Sequence, residues 1–537
     1  MSQLPDWQSL TLKEQIAQTI VVRASGYLFD HQIRYPAWEA SNKQLKEWLE
    51  EFNLGGVILL GGSSIELQAR SQQLQSWANI PLLIAADIEE GVGQRFPGAT
   101  WFPPPMALSA IYAQNPSLAQ RYATEMGAIT AQEALIVGIN WLLAPIVDVN
   151  NNPDNPVINI RAFGDNPETV ANLTAAFIKG AQPYPILTTA KHFPGHGDTA
   201  TDSHLDLPTL AHSDSRLAKV ELPPFENAIA CGVDSVMTAH LLIPAWDQQY
   251  PATLSSLIVT GKLRQQLGFT GLVVTDALIM GGITKYATPE EVAVMAIEAG
   301  SDILLMPDNP EVAIASIYNA VKSGRICEAR IHQSMARIWQ AKSKVIRNDL
   351  KSTSQLATSK AIATCQSILQ DSLQTGGNLP FKPQTNANCR NLIVVDDILN
   401  SSYLDIHTPA ITIPQQFNYQ RQIVDRNTLD CILSDSRATL LQVFIRGNPF
   451  RGKAGLTTKA QNIYQQLIEK GQAEGLIIYG SPYVLKWFIS LIPADLPWVF
   501  TYGQMPQAQA IAVTTLLNFS PVAASSRSQQ GKQDFGF

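Results

Sequence analysis

Several common functions are made improbable by what this chain has little of. Charged residues make up only 15% of its 537 positions, below the ~25% of an average globular protein. That excludes a chain kept mainly disordered by its charge. The net charge is −7, so a phosphate backbone would be repelled, and no nucleic-acid partner is expected. The five cysteines (Cys231, Cys327, Cys365, Cys389, Cys431) are odd in number, and none form a Cys-x-x-Cys pair. Neither a structural zinc site nor a disulfide framework is indicated, and a reducing compartment fits. No apolar run approaches the roughly 18 residues of a membrane span. The opening Met-Ser-Gln-Leu-Pro-Asp-Trp-Gln has no basic or apolar leader region. A cytoplasmic protein without membrane association is the expectation. Gly91 and Gly93 do not extend into Gly-x-Gly-x-x-Gly, so that segment is no dinucleotide fingerprint. No short internal repeat is evident.

What is present is apolar and periodic. Hydrophobic residues are 45% of the chain, enough for large cores, and the length suggests two to three domains. Eight short β-rich runs are separated by helical stretches: Thr19–Val22, Gly56–Leu60, Leu82–Ala86, Ile139–Leu143, Leu187–Ala190, Ser235–Ala239, Leu272–Thr275 and Asp302–Leu305. Most lack alternation, as parallel strands covered on both faces do. Helix starts lie between them. Thr11-Leu12-Lys13-Glu14 has capping-box spacing. Asn115-Pro116, Asn166-Pro167, Thr288-Pro289 and Asn309-Pro310 each put a capping side chain before a first-turn proline. The pattern predicts a (β/α)8 barrel over residues 1–347, closed by a helical region from about Pro310 to Val345; a doubly wound open sheet is the competitor. A polar linker at 348–360 leads into a smaller α/β sandwich at 361–520. Its strand candidates are Leu392–Val395, Leu440–Ile445, Leu476–Tyr479 and Trp498–Tyr502, with amphipathic stretches Lys459–Lys470 and Gln507–Leu517. Residues 521–537 read as a disordered tail.

Polar side chains gather where the predicted barrel strands end: Asp87 after the third, Lys191 and His192 after the fifth, His240 after the sixth, Asp276 after the seventh. In a barrel these positions share the C-terminal rim, where catalytic groups are built. One such Asp serves equally well as a helix cap; several converging are harder to explain that way. The densest stretch is Lys191-His-Phe-Pro-Gly-His-Gly-Asp-Thr-Ala-Thr-Asp202-Ser-His204, which holds three of the eight histidines. Asp202, two residues before His204, can orient the imidazole and set its basicity, and such a pair can protonate a leaving oxygen and later deprotonate water. His192, His196, Asp198, Asp202 and His204 are also metal-capable, but their spacing matches neither His-Glu-x-x-His nor a Cys/His pattern. Asp276, at the end of a buried strand, suits a nucleophile on a sugar carbon. Asp87 can accept two sugar hydroxyls, and Arg95 can hold Asp87 or substrate. Arg161 lies in the long loop after the fourth strand and could be structural or substrate-binding.

Taken together and in order, these motifs resemble glycoside hydrolase family 3, in its β-N-acetylglucosaminidase branch. They are Asp87-x-Glu89-x-Gly91…Arg95-Phe96, Asn140-Trp-Leu-Leu-Ala-Pro145…Asp148, Arg161-x-Phe-Gly164, the Lys191–His204 stretch, Pro251-Ala-Thr-Leu-Ser255 and Val274-Thr-Asp276-Ala-Leu. The resemblance covers about residues 8–345 closely and the second domain more weakly. It implies Asp276 as nucleophile and His204 as acid/base with Asp202 as its dyad partner. Asp87, Arg95, Arg161, Lys191 and His192 would contact the N-acetylglucosaminyl unit. It implies no cofactor, no metal, and a small carbohydrate substrate of muropeptide or chitooligosaccharide type. The alternatives are a β-N-acetylglucosaminide phosphorylase, since an imidazole acid does not repel phosphate, or another family 3 β-glycosidase. A metal-dependent hydrolase and a non-catalytic sugar-binding barrel also stay open. Ile88, Glu90 and Val92 depart from the residues common in the family. Arg446-Gly-Asn-Pro-Phe-Arg-Gly-Lys453 is a basic, Gly-rich segment that could reach an acidic aglycone or be an ordinary solvated loop.

Overall fold

The computed structural model describes residues 4–346, 352–381, 389–399, 401–447 and 454–519. The chain forms two compact units: Met1–Ser372 with Arg446–Leu456, and Leu373–Ile445 with Thr457–Phe537.

The first unit is built on eight strands: β1 (Ile20–Ser25), β2 (Gly56–Leu60), β3 (Leu83–Ala86), β4 (Trp141–Leu142), β5 (Thr189–Phe193), β6 (Ser235–Thr238), β7 (Leu272–Thr275) and β8 (Leu304–Leu305). Five pair in the order β4-β3-β2-β1-β8 and three as β5-β6-β7, every pair parallel. Parallel bridges Trp141–Leu187 and Val274–Ile303 join the open edges, so the two sheets close into a barrel of parallel strands. The strands are almost wholly buried, which is why their sequences run apolar without alternation. Inside the barrel Trp141 is fully buried and donates its indole N–H to the Thr189 and Ser235 hydroxyls at 2.9 and 3.0 Å.

The capping signals act as their chemistry requires. Thr11 and Glu14 satisfy each other's backbone N–H groups. Asn115, Asn166, Thr288 and Asn309 each cap a helix whose first residue is proline. The helical region expected from about Pro310 to Val345 consists of two helices, Pro310–Lys322 and Glu328–Val345, between which Gly324 turns the chain at φ +78°. Beneath β8, buried Asp302 receives Arg264, Arg330 and Arg337, a polar lock at the end of the barrel opposite the C-terminal rim.

Helix Ser359–Asp371 belongs to this first unit. Tyr122 donates to Asp371 at 2.8 Å and Thr364 to Glu125 at 3.0 Å, pinning it to helix Pro116–Ile136. The boundary drawn from sequence at 361 falls inside this helix. Residues 348–351 of the expected linker, and the expected tail at 521–537, lie outside the described residues.

The second unit is one six-stranded sheet, β11-β10-β12-β13-β14-β9. Here β10 (Cys389–Val394), β11 (Tyr419–Val424), β12 (Thr439–Ile445), β13 (Ala473–Gly480) and β14 (Trp498–Thr501) are parallel, and β9 (Gln374–Gly376) is antiparallel at one edge. Its core gathers Ile393, Phe444, Ile477, Tyr479 and Val513. Among the described residues no helix is long and apolar enough to cross a membrane.

Candidate active site

Each group on the rim is delivered by the strand before it. β3 ends at Ala86 and the chain turns at once, with Ile88 N–H donating to the Ala86 carbonyl. Gly91, at φ +86°, lets this turn press onto Thr100, whose carbonyl would lie 2.6 Å from any Cβ. Asp87 and Glu89 thereby reach Lys191, whose Nζ lies 2.7 Å from Asp87 Oδ1 and 2.7 Å from Glu89 Oε1. Arg161 grips the same Glu89 with two nitrogens at 2.8 and 2.9 Å. Burial opposes the Glu89 charge, but Arg161 and Lys191 outweigh it and hold the carboxyl well below the usual range. Burial likewise works against the Lys191 ammonium, and Asp87 and Glu89 more than compensate, raising its pKa. The network thus stays ionised although Lys191 and Glu89 are buried. Arg95 is exposed and donates from Nε to the Asp87 main-chain carbonyl at 3.1 Å. It holds the backbone of this turn.

His192 reaches the rim beside Lys191 through a bulge. Lys191 stands opposite Met237 and Phe193 opposite Thr238, so His192 is one residue too many in the β5–β6 ladder. Its Nδ1 lies 2.8 Å from Asp148 Oδ2. Asp148 is fully buried and also accepts the backbone N–H groups of His192 and His196 at 3.1 and 2.7 Å. His196 is buried with its ring nitrogens 2.8 Å from the Thr199 hydroxyl and 2.9 Å from that of Ser203. Desolvation pushes its pKa down to about 4, so it is a neutral brace for the loop.

Asp202 is buried, and its Oδ1 lies 2.9 Å from both the backbone N and Nδ1 of His204. The imidazole is therefore oriented through Nδ1, with Nε2 as the other proton-exchanging nitrogen. This loop is fastened to the one that follows β7. Gly281 and Gly282 donate their N–H groups to the His204 and Ser203 carbonyls at 3.1 and 3.0 Å. A Cβ on Gly281 would lie 2.8 Å from the Leu205 oxygen and 2.9 Å from that of His204. Only glycine permits that approach.

Asp276 follows β7, its N–H bonded to the Thr238 carbonyl and its Oδ1 accepting the Ala277 N–H at 2.8 Å. Burial disfavours its charge, yet the nearby His192, His240 and His204 together outweigh burial and lower its pKa. A carboxylate kept ionised among imidazoles can attack an electrophilic carbon, and an oriented imidazole can exchange a proton with an oxygen beside it.

All eight residues singled out by sequence thus lie on the strand ends or loops of one rim. Two more, Glu89 and Asp148, emerge from the structure, and His240, already picked out at a strand end, gains its partners. Glu89 joins Lys191 to Arg161, Asp148 joins His192 to His196, and buried His240 bonds Thr253 at 2.9 Å and the Ala277 carbonyl at 3.1 Å beside Asp276. Glu89 and Asp148 stood within recognised motifs, and His240 at a strand end, but nothing in a linear sequence shows which cation a carboxylate will meet. The metal-capable side chains of 191–204 do not converge on one point: His192 turns to Asp148, His196 to Thr199 and Ser203, His204 to Asp202, and Asp198 to His212 and Arg216. Among the described residues the grouping that could hold an ion is Asp198, His212 and Glu221. Arg216 already bridges Asp198 and Glu221 there, at 3.3 and 2.7 Å.

Residues 11–341 match the glycosyl hydrolase family 3 N-terminal domain and residues 382–518 the bacterial glycosyl hydrolase family 3 C-terminal domain. Beta-hexosaminidase A of Pseudoalteromonas piscicida is 35% identical over 333 residues, 56% of this chain and 55% of that protein. A beta-hexosaminidase of Alkalilimnicola ehrlichii is 34% identical over 282 residues, 52% of this chain and 80% of that protein. The chain therefore spans little more than half the length of the first of these relatives. The solved structure of a family 3 beta-N-acetylglucosaminidase from Paenibacillus sp. str. FPU-7 superposes with a TM-score of 0.79 at 30% identity, over 95% of this chain and 97% of that one.

Proposed function

Since the chain belongs to glycoside hydrolase family 3, we propose that it is a retaining exo-β-N-acetylglucosaminidase. It releases terminal β-linked N-acetylglucosamine from substrates of muropeptide or chitooligosaccharide type. The observation that supports this most is an ionised strand-end carboxylate, Asp276, in electrostatic reach of an imidazole, His204, that a buried Asp202 orients. The names of the similar beta-hexosaminidases point the same way.

In the proposed reaction, the Nε2 proton of the His204 imidazolium passes to the glycosidic oxygen while Asp276 attacks the anomeric carbon. The C–O bond to the aglycone breaks, the aglycone leaves as an alcohol, and a glycosyl–Asp276 ester forms. Neutral His204 then takes a proton from water, whose oxygen displaces Asp276 and restores the β anomer. Asp202 stabilises the imidazolium without itself taking the proton. Asp87, Lys191 and His192 hold the sugar, with Arg161 bracing them through Glu89 and Arg95 through the Asp87 backbone. The first unit, with its barrel, is the catalytic domain in this reading, and the α/β unit that begins at Leu373 is its companion. Five free thiols support a reducing, cytoplasmic setting.

NMR of the products from a short panel of β-linked N-acetylglucosaminides, with and without phosphate, tests the whole reading. β-N-Acetylglucosamine formed first, at a rate indifferent to phosphate, is expected. An α anomer formed first would overturn retention. A sugar phosphate appearing with phosphate would replace hydrolysis by phosphorolysis. Release of a different terminal sugar in preference would overturn the substrate assignment.

A further inference from the structure

The chain between β1 and helix Asn42–Glu50 is unusually aromatic: Tyr27, Phe29, Tyr35 and Trp38 fall within residues 26–41. Nothing in the reaction above uses it. This loop walls a cavity of about 510 Å³, lined also by Val22 and Arg23 of β1, Gln44 and Trp48 of helix Asn42–Glu50, Ile279 from the loop after β7, and Met306 and Asp308 from the loop after β8. Ile279 stands three residues beyond Asp276. Leu278 N–H donates to the Leu305 carbonyl at 2.9 Å, tying the loop after β7 to the end of β8. The cavity therefore shares with the nucleophile the loop after β7, and lies beside β1 and the loop after β8.

Its lining combines an aromatic platform with carboxylates. Trp38 lines the cavity and is 39% exposed; Tyr35, outside the lining, stacks on it with centroids 5.8 Å apart and planes 20° from parallel. Arg23, projecting from β1, lies over both rings, 4.9 Å from Tyr35 and 5.5 Å from Trp38. Its charge is spent on Glu39, at 2.9 Å. Asp30 and Asp308 are exposed. One cation against three carboxylates leaves the cavity with two net negative charges. An aromatic face beside carboxylate acceptors matches a pyranose ring, which has an apolar C–H face and a rim of hydroxyl donors. The negative balance repels a ligand bearing carboxylates of its own.

We infer that this cavity is a subsite for the sugar ring on the leaving-group side, stacking it on Trp38, and that it selects neutral chitooligosaccharide aglycones over acidic, muropeptide-like ones. The inference rests on the proposed glycosidase activity and names its substrate class. The test compares chitotriose, β-N-acetylglucosaminyl fluoride and N-acetylglucosaminyl-β-1,4-N-acetylmuramic acid as substrates. The fluoride serves as a reference because its leaving group is too small to enter the cavity. Trp38→Ala should raise KM for chitotriose about tenfold and leave fluoride kinetics unchanged, with Trp38→Tyr restoring chitotriose. Asp30→Asn with Asp308→Asn should narrow the preference for chitotriose over the muramic acid disaccharide. The inference is overturned if Trp38→Ala leaves the chitotriose KM alone or shifts the fluoride equally. It is also overturned if the wild-type enzyme prefers the acidic disaccharide. A wild-type protein that cleaves none of the three, fluoride included, would instead bring down the activity assignment and this inference with it.

Discussion

Two imidazole–carboxylate pairs stand on this rim, and their contact distances are nearly the same: 2.8 Å for His192–Asp148 and 2.9 Å for His204–Asp202. Their surroundings differ. Asp148 also receives two backbone N–H groups, and the His192 side chain is only 8% exposed. His204 sits on a glycine-fastened loop with its side chain 20% exposed. A pair sealed at a strand bulge can hold a ring still; a pair on an accessible loop can present a nitrogen to solvent and substrate. Chemistry of the pair does not decide its role, whereas packing does.

The comparison can be broken in several places. The largest effect is expected at the carboxylate both imidazoles attend: Asp276→Ala should lower turnover of an aryl β-N-acetylglucosaminide by about 10⁴-fold or more, and wild-type kcat would end the nucleophile assignment. Next, His204→Ala should cost roughly 10²–10⁴-fold on a poor leaving group and far less on an activated aryl glycoside. His192→Ala should instead raise KM on both alike. Equal losses for His204→Ala on both substrates would erase the distinction.

Stability should separate the carboxylates. Asp148→Asn removes the buried carboxylate that serves three N–H groups of His192 and His196 and should cost about 3–5 kcal/mol in chemical denaturation. Asp202→Asn, whose partner can turn to water, should cost about 1 kcal/mol and act mainly on kcat. Comparable losses would mean that the second pair is as structural as the first.

A pH effect should appear beside the sealed pair. His196 titrates near 4 when folded and near 6.5 when not, so the unfolded chain takes up its proton first as pH falls. Stability from this group is complete above about 6.5 and is lost between there and about 4, by about 3 kcal/mol at most. Asp148, whose folded pKa is lowered, contributes stability that is lost only below the ordinary Asp range. His196→Gln should therefore flatten denaturation midpoints measured from pH 6.5 to 4.5, and an unchanged slope would refute the neutral brace. The smallest effect is expected at Arg95→Ala, a few-fold in KM, since that side chain holds backbone at an exposed position. A hundred-fold loss would mean that it touches the sugar directly.

The barrel was legible because burial on both faces leaves a continuous apolar signature. β2 and β7 coincide with their predicted runs, and the proline-preceded caps mark helix starts. In the second unit β9 and β11 escaped notice. Both are edge strands, and Tyr419–Val424 exposes Gln420 and Arg421, so neither carries a buried run. In the site, side chains that act alone at a strand end could be singled out, as Asp276 was. Glu89, Asp148 and His240 matter through partners more than thirty residues away or, for His240, through an Asp on the next strand. Those meetings are made by the curl of the barrel, and no local pattern records them.

Lys191 and Arg161 face Asp87 and Glu89 in equal number, two cations against two anions, largely out of water. The cluster proposed to hold the sugar thus has little net charge to present to the solution. Dissolved ions find little to screen in such a cluster. Affinity for a neutral first sugar should then hold nearly constant from dilute buffer to high salt, leaving ionic strength to act on the rest of the substrate.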